Sequence, residues 1–160
     1  MKKITFIGGS VGYPVGENIA SAIKSVKKMA NCFNEVNEFK DKYVNIWCRG
    51  SSGAILATLL ASTIDNKCHI CHVKKDGEWA HNSEPTPARH LSLPTINVII
   101  DDFICSGSTV RSIYEKMNSR REGIFPPIVD CFLIHGWSHI REGEVTAYVG
   151  FIPSVLITNV

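Results

Sequence analysis

Two adjacent carboxylates, Asp101 and Asp102, open the most chemically informative stretch of the sequence. They follow an apolar run at 98–100 and precede a run of small residues at 106–109 that reads S-G-S-T. Carboxylates accept hydrogen bonds from hydroxyl groups, whereas the backbone N–H groups of a small-residue turn can surround a phosphate. Together these groups favour a phosphorylated sugar as the ligand.

The elements around these residues would have to hold both groups at one end of a sheet. The apolar run reads as a buried strand, and Val110, Ile113, Tyr114 and Met117 recur at helical spacing after the small residues. The N-terminus of that helix would add the positive end of its dipole to the turn. We therefore expect a strand, an acidic strand end, a phosphate turn and a helix in succession.

A second strand–turn–helix unit comes earlier in the chain. Residues 43–48 are expected to form a central strand, and residues 54–62 a helix. Between them, R-G-S-S-G at 49–53 offers backbone amides at a helix start beside an arginine, which suits another phosphate group. Any strand-to-helix turn can carry glycine and serine, so the motif alone is weak evidence for a phosphate site. Its position, one βαβ unit before the acid pair, is what supports that interpretation.

Other segments continue the alternation of strands and helices. Residues 3–7 and 128–134 read as strands, and an amphipathic helix is expected to run from Glu17 to a break at Asn31. A second helical piece would follow at 32–39.

This alternation predicts a single α/β domain over residues 1–160. Its core would be a mostly parallel central sheet with helices on both faces. The glycine-rich stretch at 8–16 lacks the spacing of a nucleotide-binding motif and fits a turn into the first helix.

Residues 96–109 resemble the phosphoribosyl-diphosphate (PRPP) signature of the type I phosphoribosyltransferases, which is an apolar run, two acids, two mostly apolar residues and a small-residue loop. The resemblance implies that fold, with a small hood at the C-terminal ends of the strands. It implies that Asp101 and Asp102 are catalytic and contact Mg²⁺, partly through ribose hydroxyls or water. It also implies a 5′-phosphate site formed by Cys105, Ser106, Gly107, Ser108 and Thr109.

The same resemblance suggests where the rest of the substrates would bind. Its implied pyrophosphate-binding residues are Arg49, Gly50, Ser51, Ser52, Lys74 and Lys75. A mobile loop at about 74–94 would close over PRPP, and segments at about 8–16 and 135–153 would cover the base. The implied base-binding residues are His135, Trp137, Tyr148 and Val149.

The implied activity is transfer of a phosphoribosyl group from PRPP to a nucleobase with release of pyrophosphate, in nucleotide salvage, with Mg²⁺ as cofactor and a homodimer as the assembly. Enzymes for 6-oxopurines carry Asp where Cys105 stands and Lys where His135 stands, which argues against hypoxanthine and guanine as substrates. Two alternatives stay open. One is a non-catalytic PRPP- or nucleotide-binding regulator on the same fold, and the other is an acid-pair phosphotransfer domain that would carry phosphate on Asp101 or Asp102.

The letters C-H-I-C-H at 68–72 match a haem-attachment pattern and also suggest zinc. A strand is the competing interpretation and the one we favour. Alternation would place Cys68, Ile70 and His72 on one face and His69, Cys71 and Val73 on the other, so that the two thiols could not share a metal or a haem.

Composition limits the class of protein. The chain is 44% hydrophobic and 20% charged, which is typical of a globular domain. A net charge of +2 gives no reason to expect nucleic acid or a membrane as partner. The basic N-terminus has too short an apolar stretch for a signal peptide, so we expect a cytoplasmic protein whose six cysteines are reduced.

Overall fold

The computed structural model describes residues 4–8, 18–75, 90–103, 108–119, 129–136 and 155–159. Within them a six-stranded sheet has the order β3-β2-β4-β5-β1-β6, and every neighbouring pair is parallel. The strands are β1 (Ile4–Gly8), β2 (Tyr43–Arg49), β3 (Cys68–Val73), β4 (Thr95–Phe103), β5 (Val129–Gly136) and β6 (Val155–Asn159). The helices are α1 (Ile19–Glu35), α2 (Gly50–Ala61) and α3 (Ser108–Ser119), with a short 3-10 helix at Asn37–Phe39.

Helices cover both faces of the sheet, as predicted. Side chains of α1 and α2 share one apolar cluster with Ile46, Val98 and Ile100 of the sheet. Side chains of α3 share a second cluster with Trp47 and Ile99. Neighbouring residues of a strand point to opposite faces, so β2 and β4 contribute to both clusters and read as continuous apolar runs. The fold class is therefore α/β with a parallel sheet between two helical layers.

Helix α1 runs without interruption past Asn31, where a break was expected. Its side chains at Ala22, Val26, Met29 and Phe33 are buried at helical spacing, so the apolar stripe continues across that position. Asn31 itself is exposed and costs the helix a small amount of intrinsic propensity, which the packing on either side outweighs. The residues expected to form a separate helical piece instead continue α1 to Glu35 and then form the 3-10 helix.

Helix α2 begins at Gly50, four residues before the predicted start, and it directly follows β2. The stretch expected to be a loop is its first turn, with Arg49 in an extended conformation as the N-cap. Gly53 faces the strand, and a Cβ there would lie 3.3 Å from the Cβ of Cys48. The absence of a side chain at Gly53 therefore lets the helix start close to the sheet.

The connections of β2 and β4 run in opposite directions across the sheet. The chain passes from β2 through α2 to β3 on one side, and from β4 through α3 to β5 on the other. Because α2 and α3 lie on opposite faces, a crevice forms between the carboxyl ends of β2 and β4. Ligands of open α/β sheets bind in such a crevice.

Strand β3 has the two-faced alternation that the sequence predicts. Cys68 and Ile70 pack against the cluster of α1 and α2, whereas Cys71 and Val73 belong to the cluster of α3. The two thiols therefore face opposite sides of the sheet, as predicted. Across the described ranges, no group of three or more His, Cys, Asp or Glu side chains could hold a metal ion. The five cysteines in these ranges are free thiols.

Strand β5 carries one extra residue where it pairs with the start of β4. Asn97 pairs with Val129, but the next residue, Val98, pairs with Cys131. The carboxylate of the residue between, Asp130, accepts a hydrogen bond from the backbone N–H of Asn97 at 2.8 Å. The bulge is thus closed by a side chain that is only 5% exposed.

At the edges of this fold, one strand was not predicted, and two predicted features are not tested. Strand β6 had no counterpart in the sequence interpretation and lies beside β1. Most of the predicted base-covering segments, residues 9–16 and 137–153, and with them the hood, lie outside the described residues. None of the helices in the described ranges is both long enough and apolar enough to cross a bilayer.

Candidate functional site

Arg49 and Asp101 end up at the same level on neighbouring strands. Trp47 of β2 pairs with Ile99 of β4, and Arg49 and Asp101 each stand two residues further along. Both lie at the carboxyl edge of the sheet, in the crevice where the connections diverge. Parallel pairing therefore brings together two of the groups that the sequence analysis singled out from distant segments.

Gly50 forms the turn from β2 into α2. Its φ of +69° lies in the left-handed region, which glycine adopts without steric cost. The first N–H groups of a helix have no partner within it, and here they follow directly after this glycine. Ser51 is exposed and Ser52 half-buried in the same turn, so all four predicted residues at 49–52 lie at this helix start.

Lys75 brings a cation to the start of α2. It follows the end of β3, and a Cβ on Gly50 would lie 2.8 Å from its Cε and 3.2 Å from its Nζ. Its ammonium group also acts on the carboxyl of Asp101 and favours the ionised form there. Lys75 is therefore close to the helix start and within electrostatic reach of Asp101. Lys74, the preceding residue, is half-buried.

Arg49 presents a donor at the same place. Its Nε atom is buried and has no hydrogen-bond partner among the residues that the structure describes. A buried N–H without a partner costs free energy, on the order of 1–3 kcal/mol, which an anionic ligand would recover. Arg49, the helix amides and Lys75 therefore form a set of donors suited to phosphate oxygens.

The two acids lie in different environments, although both stand near the end of the same strand. Asp101 is only 4% exposed, whereas Asp102 is half-buried. Burial, and after it the neighbouring Asp102, raise the pKa of Asp101 to about 8, although Lys75 opposes part of the change. Asp101 is therefore mainly protonated at neutral pH, and Asp102 is the carboxyl that is more open to solvent.

The backbone holds the Asp101 side chain in place. The N–H of Asp102 donates to Oδ1 of Asp101 at 2.9 Å, a local contact within the strand. Cys48 lies near the same carboxyl, and burial followed by the charge of Asp101 raises the pKa of its thiol to about 12. Cys48 is therefore a neutral thiol and does not supply a nucleophile.

The predicted 5′-phosphate site is described only in part. Ser108 is exposed and Thr109 half-buried in the first turn of α3, which begins at the same edge of the sheet as α2. The remaining members, Cys105, Ser106 and Gly107, lie outside the described residues. The structure thus describes the helix start that the motif requires, but not the turn before it.

The predicted base-binding residues are nearly all outside the described ranges. The backbone of His135 belongs to β5, next to β4, and nothing is described of its side chain. Trp137, Tyr148 and Val149 lie beyond that strand in undescribed chain. Of the predicted loop at 74–94, residues 76–89 are also undescribed.

Sequence reasoning missed one residue of the site, His72. Its Nε2 lies 3.3 Å from the carbonyl oxygen of Gly50. His72 pairs with Cys48 in the sheet, and Gly50 stands two residues after Cys48. The signal that could have found it is its place near the carboxyl end of a strand that follows the R-G-S-S-G turn.

Asp101 and Asp102 are the predicted contacts of Mg²⁺, and their environments limit how the ion could bind. Asp101 is mainly protonated, so Asp102 is the carboxylate that remains to face a cation. Mg²⁺ keeps several waters and is commonly bound by one or two carboxylates together with substrate phosphates. The acid pair therefore fits a Mg²⁺ ion that arrives with a diphosphate, and it does not form a protein cage for the ion.

A separate cavity of about 390 Å³ lies at the opposite edge of the sheet. Its lining includes Lys42, Lys67 and Leu93, which precede β2, β3 and β4. Because the strands begin there, this cavity is not part of the site at their carboxyl ends.

Comparisons with known proteins found no match. The chain matches no family model, no curated protein and no solved structure.

Proposed function

We propose that the protein transfers the phosphoribosyl group of PRPP to a nucleobase and releases pyrophosphate. The observation that carries the proposal is the convergence of donors and acids in the crevice between β2 and β4. Arg49, the start of α2 and Lys75 supply positive charge on one side, and Asp101 and Asp102 supply carboxyl groups on the other. PRPP carries the complementary groups: a diphosphate, ribose hydroxyls and a separate phosphate.

The diphosphate would bind at the start of α2. Its oxygens would accept hydrogen bonds from the backbone amides of Ser51 and Ser52, from Arg49 and from Lys75. Lys74 would add charge from the same segment. The amides of Ser51 and Ser52 are preorganised by the helix, which lowers the cost of holding a highly charged leaving group.

The sugar and its 5′-phosphate would extend toward α3. Asp102 would accept hydrogen bonds from the ribose hydroxyls. The buried Asp101 beside it would help to hold that acceptor in place. Ser108 and Thr109 at the start of α3 would bind the 5′-phosphate together with the preceding small residues, Cys105, Ser106 and Gly107. The distance between the two helix starts would then position the bond that breaks.

In this reaction a ring nitrogen of the base displaces pyrophosphate from C1 of the ribose. Positive charge develops on the sugar as the C–O bond breaks, and the Asp102 carboxylate beside the ring would lower the energy of that state. When bound, Mg²⁺ would neutralise part of the charge on pyrophosphate. His135, Trp137, Tyr148 and Val149 are proposed to bind the base, with an aromatic side chain stacking on its plane.

The test is to incubate the protein with PRPP, Mg²⁺ and a panel of nucleobases, and to follow pyrophosphate release. We expect release with at least one base other than hypoxanthine or guanine. Failure with every base, combined with measurable PRPP binding, would instead support a PRPP-binding regulator. Absence of both would reject the proposal, and covalent phosphate on either acid after incubation with a phosphodonor would support a phosphotransfer domain.

A single substitution tests the role of the carboxyl that is open to solvent. Asp102→Asn removes the charge but keeps the size, so we expect PRPP turnover to fall by about 100-fold or more while the fold is unchanged. Turnover assays and circular dichroism would measure the two effects. Exposed Asp41→Asn, which lies before β2 at the opposite edge of the sheet, is the matched control and should leave turnover unchanged.

A further inference from the structure

We propose that His72 is a positioning residue for the anion site, because its imidazole holds the Gly50 peptide in the orientation that presents the first amides of α2. The proposal rests on the function proposed above. It assigns a role to a residue that the PRPP-like motif does not include, since His72 lies on β3 and outside both strand–turn–helix units.

The hydrogen bond fixes which nitrogen of the imidazole carries hydrogen. Nε2 of His72 lies 3.3 Å from the carbonyl oxygen of Gly50, and a carbonyl oxygen can only accept. Nε2 must therefore be the donor, and the neutral ring must be the Nε2–H tautomer. The contact is partly buried, so water competes with it only in part.

The effect of this bond passes through one peptide group. The carbonyl of Gly50 and the N–H of Ser51 belong to the same planar trans peptide and point in opposite directions. A donor that holds the carbonyl therefore also sets the direction of the Ser51 N–H. That N–H is among the first amides of α2, which have no partner within the helix and are free to meet an anion.

Glycine needs such a restraint more than other residues would. Gly50 has φ of +69°, and without a Cβ it can reach many other conformations at little cost. The Lys75 side chain occupies the space that a Cβ on Gly50 would fill, and Nε2 of His72 lies 3.3 Å from the Gly50 carbonyl oxygen. His72 is half-buried whereas Lys75 is exposed, so the His72 contact adds to the restraint that the helix itself places on this peptide.

Three variants separate positioning from simple packing. His72→Leu fills similar space without a donor, and His72→Gln keeps a side-chain N–H. His69→Leu is the matched control, because His69 is exposed on the same strand and faces the other way. Binding of inorganic pyrophosphate and of PRPP, each with Mg²⁺, would be measured by calorimetry for all of them and for the unmodified protein.

We expect His72→Leu to weaken the binding of both ligands by about tenfold, and His72→Gln and His69→Leu by less than about threefold. Nitrogen-15 NMR of the imidazole should show the Nε2–H tautomer in the unmodified protein. The amide signal of Ser51 should shift in His72→Leu more than in His69→Leu.

Opposite results would overturn the proposal in distinguishable ways. An Nδ1–H tautomer, or binding by His72→Leu equal to that of the unmodified protein, would reject positioning by His72 and leave the proposed function intact. Equal losses in His72→Leu and His72→Gln would show that the ring acts by packing. No binding of either ligand by the unmodified protein would reject the anion site and the proposed function together.

Discussion

Asp101 is the residue whose environment departs most from what its position in the sequence suggests. An acid pair at the end of an apolar strand reads as exposed, but one member is buried and the other half-buried. Strand β4 is central, with β2 and β5 on either side, and Asp101 pairs with Ile134 of β5. Sequence alone identified the acids, but it could not show which of them packing would enclose.

Replacing Asp101 by Asn should change how stability depends on pH. Below its ordinary pKa of 3.8 the carboxyl is protonated in the folded and the unfolded chain. Between 3.8 and about 8 the folded chain keeps a proton that the unfolded chain releases, so the free energy of unfolding falls as pH rises. Relative to the unmodified protein, Asp101→Asn should therefore gain up to about 1.4 kcal/mol per pH unit in this window.

Urea unfolding of both proteins at several pH values across the window would measure the difference. Exposed Asp65→Asn is the control and should show no such trend. A difference between Asp101→Asn and the unmodified protein that stays constant with pH would show that Asp101 ionises normally in the fold.

Gly50 supports a second prediction at this scale. Alanine in the left-handed region costs about 1–2 kcal/mol, and its Cβ would lie 2.8 Å from Cε of Lys75. Because Lys75 is flexible it can move aside, so the strain of the backbone should dominate. We expect Gly50→Ala to lower the free energy of unfolding by about 1–2 kcal/mol.

Chemical denaturation would measure this loss against Ser51→Ala. Ser51 is exposed in the same helical turn, and its replacement should change stability by less than about 0.5 kcal/mol. Equal stability of Gly50→Ala and the unmodified protein would mean that this turn tolerates a side chain.

At the scale of elements, the periodic patterns in the sequence predicted which helices and strands form better than they predicted where each begins and ends. Strand β3 has the predicted bounds and faces, because alternation is strong over all of its residues. Helix α2 starts earlier than predicted, because glycine and serine are read as loop formers although they are also acceptable in a first helical turn. The bulge in β5 was not foreseeable, since it depends on the register with β4.

The bulge gives a prediction about β5. Asp130→Ala would leave the backbone N–H of Asn97 without its acceptor at a position where Asp130 is 5% exposed. We expect a loss of about 1–3 kcal/mol in the free energy of unfolding. Asp130→Asn keeps an oxygen at the same place and should lose less than Asp130→Ala. Thermal unfolding would rank the two, and the reverse order would mean that the charge, not the acceptor, matters.

At the scale of the whole molecule, the order of the strands explains why two distant motifs form one site. The sequence predicts two strand–turn–helix units and a parallel sheet, but it does not show that β2 and β4 are neighbours with helices on opposite faces. That arrangement is a long-range property of the pairing, and local patterns carry no information on it. Once it is known, Arg49 and Asp101 are placed together without further assumption.

The position of β1 has a consequence for how the chain reaches this structure. Although β1 comes first in the chain, it pairs with β5 and β6, which come last. Among the strands that the structure describes, β1 pairs only with β5 and β6, so during synthesis its backbone groups stay hydrogen-bonded to water until residues 129–136 have emerged. Closing so large a loop is slow, and we infer that docking of β1 is a late step in folding.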